Sequence, residues 1–435
     1  MTTKQGFSRL PHLFFAVVAL TTPVVAQAVT LEEAYRAALT KNETVLQNAQ
    51  LVVQAGEHVK QARSGVLPSL SIGLTHLIQA EPSDPIAREF SPRNQTTASI
   101  SLSQPVFRGF REFAGIRQEK ELLSAQRSTE RATQLDLYEN IASRYLGVLS
   151  LEQDLRNLNE QAVIYDKRIH ELHGNVGRGE TNQTELLTAQ ATQAAVLAES
   201  RVVQSQLLST RQNFEFLTHL PANSEFIEPA VAKDIPSPEK LDTYLARIDK
   251  RPDIHSAIQQ AEAADAQVSV QWGAHLPSAD AMANYYLKRP GFLEDIKWDV
   301  QLTVSMPIFQ GGAISSKVRE AVSQQIASDL QLQKMRRQAN EEIRSLHANA
   351  IARADQVDKL KRAVELSEKN TAVVQRDYRL GLTRGTDVQV VLVEYRVQRR
   401  AYDHARYDAL MDLIRLQVAS VSGFAAQIAA DGAKQ

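Results

Sequence analysis

The sequence contains no cysteine among its 435 residues. This excludes disulfide bonds, thiolate catalysis, cysteine-ligated metal sites and lipid attachment to an N-terminal cysteine. Aromatic residues make up only 6% of the chain, and the 18 glycines and 15 prolines cluster at a few places. The long stretches between them are rich in Ala, Gln, Leu, Glu and Arg, which is typical of long helices rather than of a compact enzyme.

The chain also lacks an excess of one charge sign, since 49 basic and 50 acidic residues give a formal net charge of −1. No basic stripe indicates a nucleic-acid partner. No phosphate-binding glycine loop, Ser/His/Asp set or Cys/His cluster is evident, so we predict a non-enzymatic protein without a cofactor. His170 and His173 have the spacing of metal ligands on a helix, but without a third ligand we interpret them as part of a solvated polar face.

Long apolar runs are missing except for a short one at the N-terminus. Lys4 and Arg9 precede an apolar segment from Leu13 to Leu20, and small residues end the segment at Ala28. This order predicts a secretory signal peptide at residues 1–28, because a transmembrane helix needs about 20 apolar residues. No later stretch has 18 consecutive apolar residues, so any membrane-embedded part of the mature chain must consist of strands.

One pattern occurs twice in the chain, about 200 residues apart. Three junctions recur: Leu67-Pro68-Ser69 as Leu276-Pro277-Ser278, Pro105–Gly109 (PVFRG) as Pro307–Gly311 (PIFQG), and Gly179 with Glu185 as Gly381 with Asp387. A repeat of this size predicts a subunit with two similar halves rather than a short solenoid repeat.

Each half is predicted to contain a helix, two strands, a long helix and a shorter helix. For the first half, residues 29–220, we predict a helix from the capping box at Thr30 to about Gly65, strands at about 68–78 and 95–105, a long helix at 109–173, a tip turn at 174–181 and a helix at 182–217. After a linker at 221–238, the second half (239–422) is predicted to contain a helix to about Gly273, strands at about 278–287 and 298–306, a long helix at 312–380, a tip turn at 380–385 and a helix at 386–421. Residues 423–435 are expected to form a flexible tail.

The long helices set the dimensions of the predicted molecule. A 65-residue helix spans about 100 Å. The two shorter helices of a half match this length when they are stacked end to end. We therefore expect a tall helical slab with the strands at one end.

The predicted strands have one apolar and one small polar face. Their apolar residues are Leu70, Ile72, Leu74, Val300, Leu302 and Val304. Four strands per chain leave two open edges and an apolar face that would be an aggregation hazard in water. Alternating strands of about ten residues in an exported protein fit an outer-membrane barrel, in which three chains would supply twelve strands.

Aromatic residues near the strand ends favour the membrane interpretation over a small sheet packed on a helical domain. They are Tyr285, Tyr286, Phe292 and Trp298, and their position suits an interfacial aromatic girdle. Asp280, Asp299 and Gln301 lie on the face opposite to that of Trp298, Val300 and Leu302, as expected for a wet lumen.

Several segments together resemble the TolC family of outer-membrane efflux and secretion ducts. They are the helix start at Thr30–Ala38, the two Leu-Pro-Ser junctions, the two Pro-(Val/Ile)-Phe-x-Gly junctions, Val176–Gln190 (VGRGETNQTELLTAQ) and Tyr378–Asp387 (YRLGLTRGTD). The resemblance covers nearly all of residues 29–422. It depends on the order, spacing and duplication of these segments rather than on any one of them.

The resemblance implies a mainly α-helical homotrimer with a twelve-stranded barrel in outer-membrane lipid and an α-helical barrel in the periplasm. At the tip turns it implies contact with a periplasmic membrane-fusion adaptor and, through it, with an inner-membrane transporter of the ABC or RND type. The contacting residues would be Gly177, Arg178, Gly179, Gly381, Leu382 and Thr383. The missing N-terminal cysteine is more similar to the type I secretion branch than to the lipid-anchored efflux branch.

The resemblance also implies a periplasmic gate near the tip turns. The matching residues are Thr184, Glu185, Tyr378, Arg384 and Asp387. A tyrosine hydroxyl can donate to a carboxylate on a neighbouring helix, and three copies of an acid would form a ring that favours cations. The sequence departs from the family pattern at Val390, where a second acid is expected, and at Thr383, where the linking arginine is expected.

Glu185 and Asp387 also have a simpler interpretation, because acidic residues near a helix start stabilise the helix.

For the whole protein, we predict a passive export channel in the outer membrane that is energised by its partners. The alternative is a periplasmic coiled-coil structural or adaptor protein with a small β domain.

Overall fold

The computed structural model describes residues 28–232 and 234–431, so the predicted signal peptide lies outside the described residues except for Ala28. The helices and strands, in chain order, are β1 (Ala28–Val29), α1 (Leu31–Lys41), α2 (Glu43–Ser64), β2 (Ser69–Ile78), α3 (Pro85–Phe90), β3 (Asn94–Arg108), α4 (Arg111–Gly177), α5 (Gln183–Thr218), β4 (Glu225–Phe226), α6 (Leu241–Leu245), α7 (Pro252–Trp272), β5 (Ser278–Lys288), β6 (Trp298–Ser305), α8 (Ala313–Arg379), α9 (Gly385–Ala419) and α10 (Gly423–Asp431).

The helices form a slab whose height is set by α4 and α8, each of 67 residues and therefore about 100 Å long. The central helix α4 packs against α2 and α7 along one half of its length and against α5 and α9 along the other half. The helix α8 packs against α7 and α9. The shorter helices are thus stacked in pairs, with α7 and α9 between the two long helices and α2 and α5 on the outer side of α4.

The main hydrophobic core lies where the stacked helices meet. It contains Tyr35 of α1, Ile141 and Tyr145 of α4, Phe214 of α5 and Ile414 of α9, all at most 5% exposed. The aromatic rings in this region pack against each other, with the Phe214 and Phe226 centroids 4.8 Å apart. Burial of these large side chains holds the two stacks together, since each buried aromatic side chain removes a large apolar area from water.

The four-stranded antiparallel sheet has the order β2-β3-β5-β6, so β2 and β6 are unpaired edges. Its register places Ile72 opposite Ile100, Ile100 opposite Tyr285, and Tyr285 opposite Trp298. Side chains on one face of a sheet follow every second residue. The central part of one face is therefore apolar, although His76, Thr96 and Gln104 lie on the same face nearer its ends. Its apolar residues on the edge strands are strongly exposed, Ile72 by 76% and Val300 by 65%.

The opposite face is polar and carries a hydrogen-bonded network. Ser101 donates to Asn284 at 2.7 Å, and Asn284 donates to Asp299 at 2.9 Å. The Tyr286 hydroxyl donates to the same Asp299 carboxylate at 3.0 Å, while Arg289 lies 4.2 Å from the Tyr286 ring centre. Tyr286 therefore belongs to the polar face. Its assignment to an apolar aromatic girdle is wrong, although Tyr285 and Trp298 do lie on the apolar face.

Several predicted helix boundaries differ from those in the structure. The first helix breaks at Asn42, whose side chain accepts from Thr44 N–H at 3.1 Å and donates to Leu217 O at 3.1 Å. The helix predicted from the linker to about Gly273 begins only at Pro252, because proline starts a helix and the preceding Arg251 is extended. The long helix α4 continues to Gly177 instead of ending at His173, since glycine is tolerated inside a helix at a cost of about 1 kcal/mol.

The expected flexible tail after Gly423 is wrong for the described residues. Gly423–Asp431 forms α10, and its Ala425 and Ile428 side chains are buried in the main core. Across the described residues, one helical region, Gly385–Ala430, is long and apolar enough to cross a membrane by length and composition. Because 56% of its apolar window is buried inside the helical packing, this region serves as a core element.

Candidate functional site

The two tip turns have the same backbone design. In the first, Gly179 has a φ of +72°, and Glu180 N–H donates to Asn175 O at 2.9 Å. In the second, Gly381 has a φ of +73°, and Leu382 N–H donates to Asp377 O at 2.9 Å. Both patterns end a helix with a glycine in the left-handed region. The equivalent glycines therefore end both long helices at the same end of the slab.

Three of the predicted gate residues, Thr184, Arg384 and Asp387, lie in the capped first turns of the helices that follow these turns. Thr184 N–H donates to the Asn182 side chain at 3.2 Å at the start of α5. The Asp387 carboxylate accepts from the backbone N–H of Arg384 at 3.0 Å at the start of α9. Asp387 therefore has the capping geometry of the simpler interpretation, since it satisfies a free N–H at a helix start.

The remaining two of the five predicted gate residues, Glu185 and Tyr378, are brought together by a residue that was not predicted. The guanidinium carbon of Arg168 on α4 lies 4.3 Å from the centre of the Tyr378 ring on α8. Its Nη2 atom lies 3.9 Å from Glu185 Oε2 on α5. No hydrogen bond joins Tyr378 and Glu185 within the described chain, and both side chains contact Arg168 there.

Arg168 could have been found from its position in the helical pattern. It follows the buried Tyr165 by three residues and precedes the buried Leu172 by four, which places it on the core-facing side of α4. Its side chain is only 11% exposed. A charged residue at a core-facing position needs a partner, because an unpaired buried charge is costly.

A second group of ionisable side chains lies further along α4, where it meets α5 and α9. The Asp154 carboxylate is 2% exposed and lies 3.1 Å from Arg400 Nη2 and 2.9 Å from His404 Nε2. Arg400 also bonds Glu199 of α5. One further buried acid, Asp403, accepts from Asn157 at 2.9 Å. These contacts tie three helices together through charged groups.

This group contains a serine, a histidine and an aspartate in the contact order of a catalytic triad. Ser150 Oγ lies 3.0 Å from His404 Nδ1, and His404 Nε2 lies 2.9 Å from Asp154. No local sequence motif indicates this Ser/His/Asp set, because Ser150 and Asp154 lie about 250 residues from His404 in the chain. However, Ser150 lies in the middle of α4, where helical hydrogen bonds occupy the backbone N–H groups that an oxyanion site requires. The arrangement is therefore suited to bracing helices. No group of three or more His, Cys, Asp or Glu side chains among the described residues could hold a metal ion.

The His404 contacts predict a pH-dependent stability of this helix junction. The hydrogen bond to Asp154 is the main cause that raises the pKa of His404, opposed by burial and by Arg400 and supported by Asp408. Because the pKa of His404 is higher in the folded protein, protonated His404 stabilises the folded state fully at pH values below the unfolded-state pKa of about 6.5. This stabilisation is lost as the pH rises through the folded-state pKa. Since the side chain is 40% exposed, screening limits the loss to roughly 0.5–1 kcal/mol.

We expect the guanidinium chloride concentration at which half of the wild-type protein is unfolded to be lower at about pH 8 than at pH 6. Unfolding is followed by helical circular dichroism, and the decrease should be larger for the wild type than for His404→Gln. His347→Gln is the matched control, because His347 contacts the Glu239 carbonyl rather than a carboxylate. An equal pH dependence of the wild type and His404→Gln would show that the Asp154 contact does not stabilise the junction.

Comparison with known proteins places these features in a family. A family model described as "Outer membrane efflux protein" matches residues 34–218 and 246–420. The chain is 22% identical over 413 residues to Outer membrane protein TolC of Escherichia coli (strain K12), covering 91% of this chain and 83% of that protein. It is 23% identical over 415 residues to Proteases secretion protein PrtF of Dickeya chrysanthemi, covering 90% and 88% of the two chains.

The fold is similar to solved structures of outer-membrane channels. The outer membrane protein VceC from Vibrio cholerae superimposes with a TM-score of 0.79 at 19% identity, covering 91% of this chain and 96% of VceC. The Campylobacter jejuni CmeC outer membrane channel gives a TM-score of 0.77 at 16% identity over 99% and 98% of the two chains. These matches confirm the family resemblance that the sequence motifs indicate.

Proposed function

The chain belongs to the outer membrane efflux protein family, and from that premise we propose that it is the outer-membrane channel of a tripartite efflux or type I secretion system. It is an outer-membrane protein of a family of transport ducts rather than of enzymes. One observation carries the proposal: an open four-stranded sheet, apolar on one face and polar on the other, lies at one end of a helical slab about 100 Å long.

Closure of this sheet requires other copies of the chain. The edges β2 and β6 leave backbone N–H and C=O groups unpaired, which cannot be tolerated in hydrocarbon. Three copies that pair β2 of one subunit with β6 of the next form a twelve-stranded barrel. Its apolar face contacts lipid, and its serine-rich face with Asp299 lines the lumen.

The edges of the helical slab support the same closure. Ile326 and Leu330 are 54% and 58% exposed on α8, and Leu197 and Leu208 are 50% and 58% exposed on α5. Exposed apolar side chains on both outer helices suit side-by-side packing of subunits. The resulting α-helical barrel extends into the periplasm and presents the tip turns to a membrane-fusion adaptor and an inner-membrane ABC or RND pump. The channel itself is passive.

In this arrangement the tip region serves as the gate. The residues are those predicted from the sequence, Thr184, Glu185, Tyr378, Arg384 and Asp387. The contacts of Glu185 and Tyr378 with one arginine support their role, because they connect the α4–α5 hairpin with the α8–α9 hairpin. The tip-turn residues available to an adaptor include Leu382, which is 72% exposed.

Subunit closure can be tested directly because the chain has no cysteine. We expect the double variant Gly73→Cys/Gln301→Cys, with one thiol on each edge strand, to give covalent dimers and trimers when outer membranes are treated with bismaleimides of increasing length. The single variants serve as controls, since one thiol per subunit can be linked only once and therefore gives covalent dimers at most, never covalent trimers. Products of the double variant that stay monomeric with every reagent would contradict the barrel.

Fractionation separates this function from the periplasmic alternative. The channel is expected in outer-membrane extracts as a heat-sensitive oligomer that forms conducting pores in planar bilayers. A periplasmic adaptor or structural protein would instead be recovered from the soluble periplasm or with the inner membrane, and would form no pores.

A further inference from the structure

The two strand hairpins of the sheet, β2–β3 and β5–β6, are copies of each other in register. The repeated junctions align Ser69 with Ser278 at the starts of β2 and β5, and Pro105 with Pro307 at the junctions before the long helices. With this alignment, every residue pair of β5 with β6 is the counterpart of a pair of β2 with β3. The hairpins are therefore equivalent building units. The pairs at their two ends are Ser278–Ser305 with Ser69–Ser103, and Tyr285–Trp298 with His76–Thr96.

The contact between the two hairpins of one chain, the inner seam of β3 with β5, shows how such units join. Its register places Ser101 opposite Asn284 and Leu102 opposite Ala283. The Ser101 hydroxyl donates to the Asn284 side chain at 2.7 Å across this seam. Because the hairpins are equivalent, the same geometry can join β6 of one subunit to β2 of the next subunit, as an outer seam.

Apolar residues at the free edges are exposed where the inner seam covers their counterparts. Phe107 lies opposite Ala279 at the inner seam and is half-buried. Its counterpart near the β6 edge, Phe309, is 86% exposed. The counterpart of Ala279 on the β2 edge is Leu70, which is 71% exposed. Joining the two edges would remove both side chains from water, and the leucine offers the phenylalanine a larger apolar partner than alanine does.

The inner seam also contains an ion pair on the polar face of the sheet. The Nε and Nη2 atoms of Arg108 lie 2.9 Å and 2.8 Å from Asp280 Oδ1. The pair links β3 to β5, and two N–H groups of one guanidinium fix its geometry. The counterparts of these residues are Gln310 and Ser71, which cannot form an ion pair. The two seams would therefore differ in charge although they share one backbone register.

We infer that neighbouring subunits join in the register of the inner seam, with Thr303 on β6 opposite Thr75 on β2 of the next subunit. The same rule places Val304 opposite Leu74 of the next subunit, so the apolar faces of the two sheets are continuous. A slip by one residue would turn one of these faces over. This outer seam lacks the ion pair that locks the inner seam. The inference rests on the proposed function and deepens it, because it names the residues that meet between subunits.

Disulfide mapping in the full-length protein tests the register, because the chain has no cysteine of its own. We expect Thr303→Cys/Thr75→Cys to give disulfide-linked trimers in outer membranes treated with copper phenanthroline, since the Cβ atoms of directly opposite residues are about 5 Å apart. Thr303→Cys/Ser71→Cys is the matched control. Ser71 lies on the same face of β2 as Thr75 but about 13 Å away along the strand, so this pair should stay unlinked.

An ion pair moved into the outer seam tests the same register without thiols. Gln310→Arg/Ser71→Asp copies the Arg108–Asp280 pair to the contact between subunits. We expect it to raise the temperature at which the oligomer dissociates in detergent by about 5 °C beyond the summed shifts of the two single variants. Gln310→Arg/Thr75→Asp is the control, because its carboxylate lies about 13 Å further along β2 and should give no such gain.

The outcomes distinguish the interface from the function. If the wild-type protein forms no oligomer in outer membranes, the proposed function fails and the inference fails with it. If the oligomer forms but Thr303→Cys/Thr75→Cys links no better than the Ser71 control, the register is wrong while the channel stands. The same conclusion follows if Gln310→Arg/Ser71→Asp is no more heat-resistant than its two single variants predict.

Discussion

Replacing Ile72 by arginine is expected to abolish most of the assembled protein in the outer membrane. Ile72 lies near the middle of the edge strand β2, pairs with Ile100, and is 76% exposed on the apolar face. An arginine on the lipid face near the bilayer midplane costs about 2–4 kcal/mol. Every subunit of a trimer would bear this cost, so the penalty for the assembly is about three times larger.

The measurement is the yield of heat-sensitive oligomer in outer-membrane fractions. Ser71→Arg provides the matched control, because Ser71 is the adjacent residue, points to the opposite face and pairs with Ser101. It should assemble at close to the wild-type yield while changing the ion selectivity of the pore. Equal losses for both variants, or normal assembly of Ile72→Arg, would show that the apolar face is not in contact with lipid.

Truncation of Tyr145 is expected to have the largest effect on the stability of the helical region. The side chain is completely buried in the main core between Phe214 and Phe226. Its hydroxyl lies 2.7 Å from the carbonyl oxygens of Val29 and Ile227 and accepts from Ile227 N–H at 3.0 Å. Burial raises the pKa of Tyr145 to about 12, so the hydroxyl stays a neutral donor at all working pH values.

Tyr145→Ala should lower the free energy of unfolding by about 3–5 kcal/mol, through loss of packing and the cavity that is left. Tyr145→Phe should lower it by about 1–3 kcal/mol, because it leaves buried backbone groups near β1 and β4 without a partner. Denaturant unfolding of the purified protein, followed by circular dichroism, measures both.

A tyrosine elsewhere in the helical region shows whether the loss is specific to this hydroxyl. Tyr402→Phe keeps the ring that faces Arg406 and should change the stability by less than about 0.5 kcal/mol. A Tyr145→Phe variant as stable as Tyr402→Phe would mean that the hydroxyl does not secure Val29 and Ile227 against α4.

Local features of the sequence account for most of the secondary structure. The strands could be predicted because apolar and polar residues alternate around Ile72 and Val300, and this alternation depends only on the pleat of a strand. The turns could be predicted because Gly179 and Gly381 favour the left-handed region. The break at Asn42 could not be predicted, because it depends on a hydrogen bond to Leu217, which is 175 residues away in the chain.

The sequence by itself determined the helices, the strands with their two faces, the turns and the family, since periodicity and backbone preference act over a few residues. Only the tertiary structure decided which charged residues meet. Arg168 reaches Tyr378 and Asp154 reaches His404 because α4 and the second half pack side by side. A periodic pattern shows which side of a helix is buried but not which residue of another helix lies against it, because that choice is made by packing and charge pairing between distant segments.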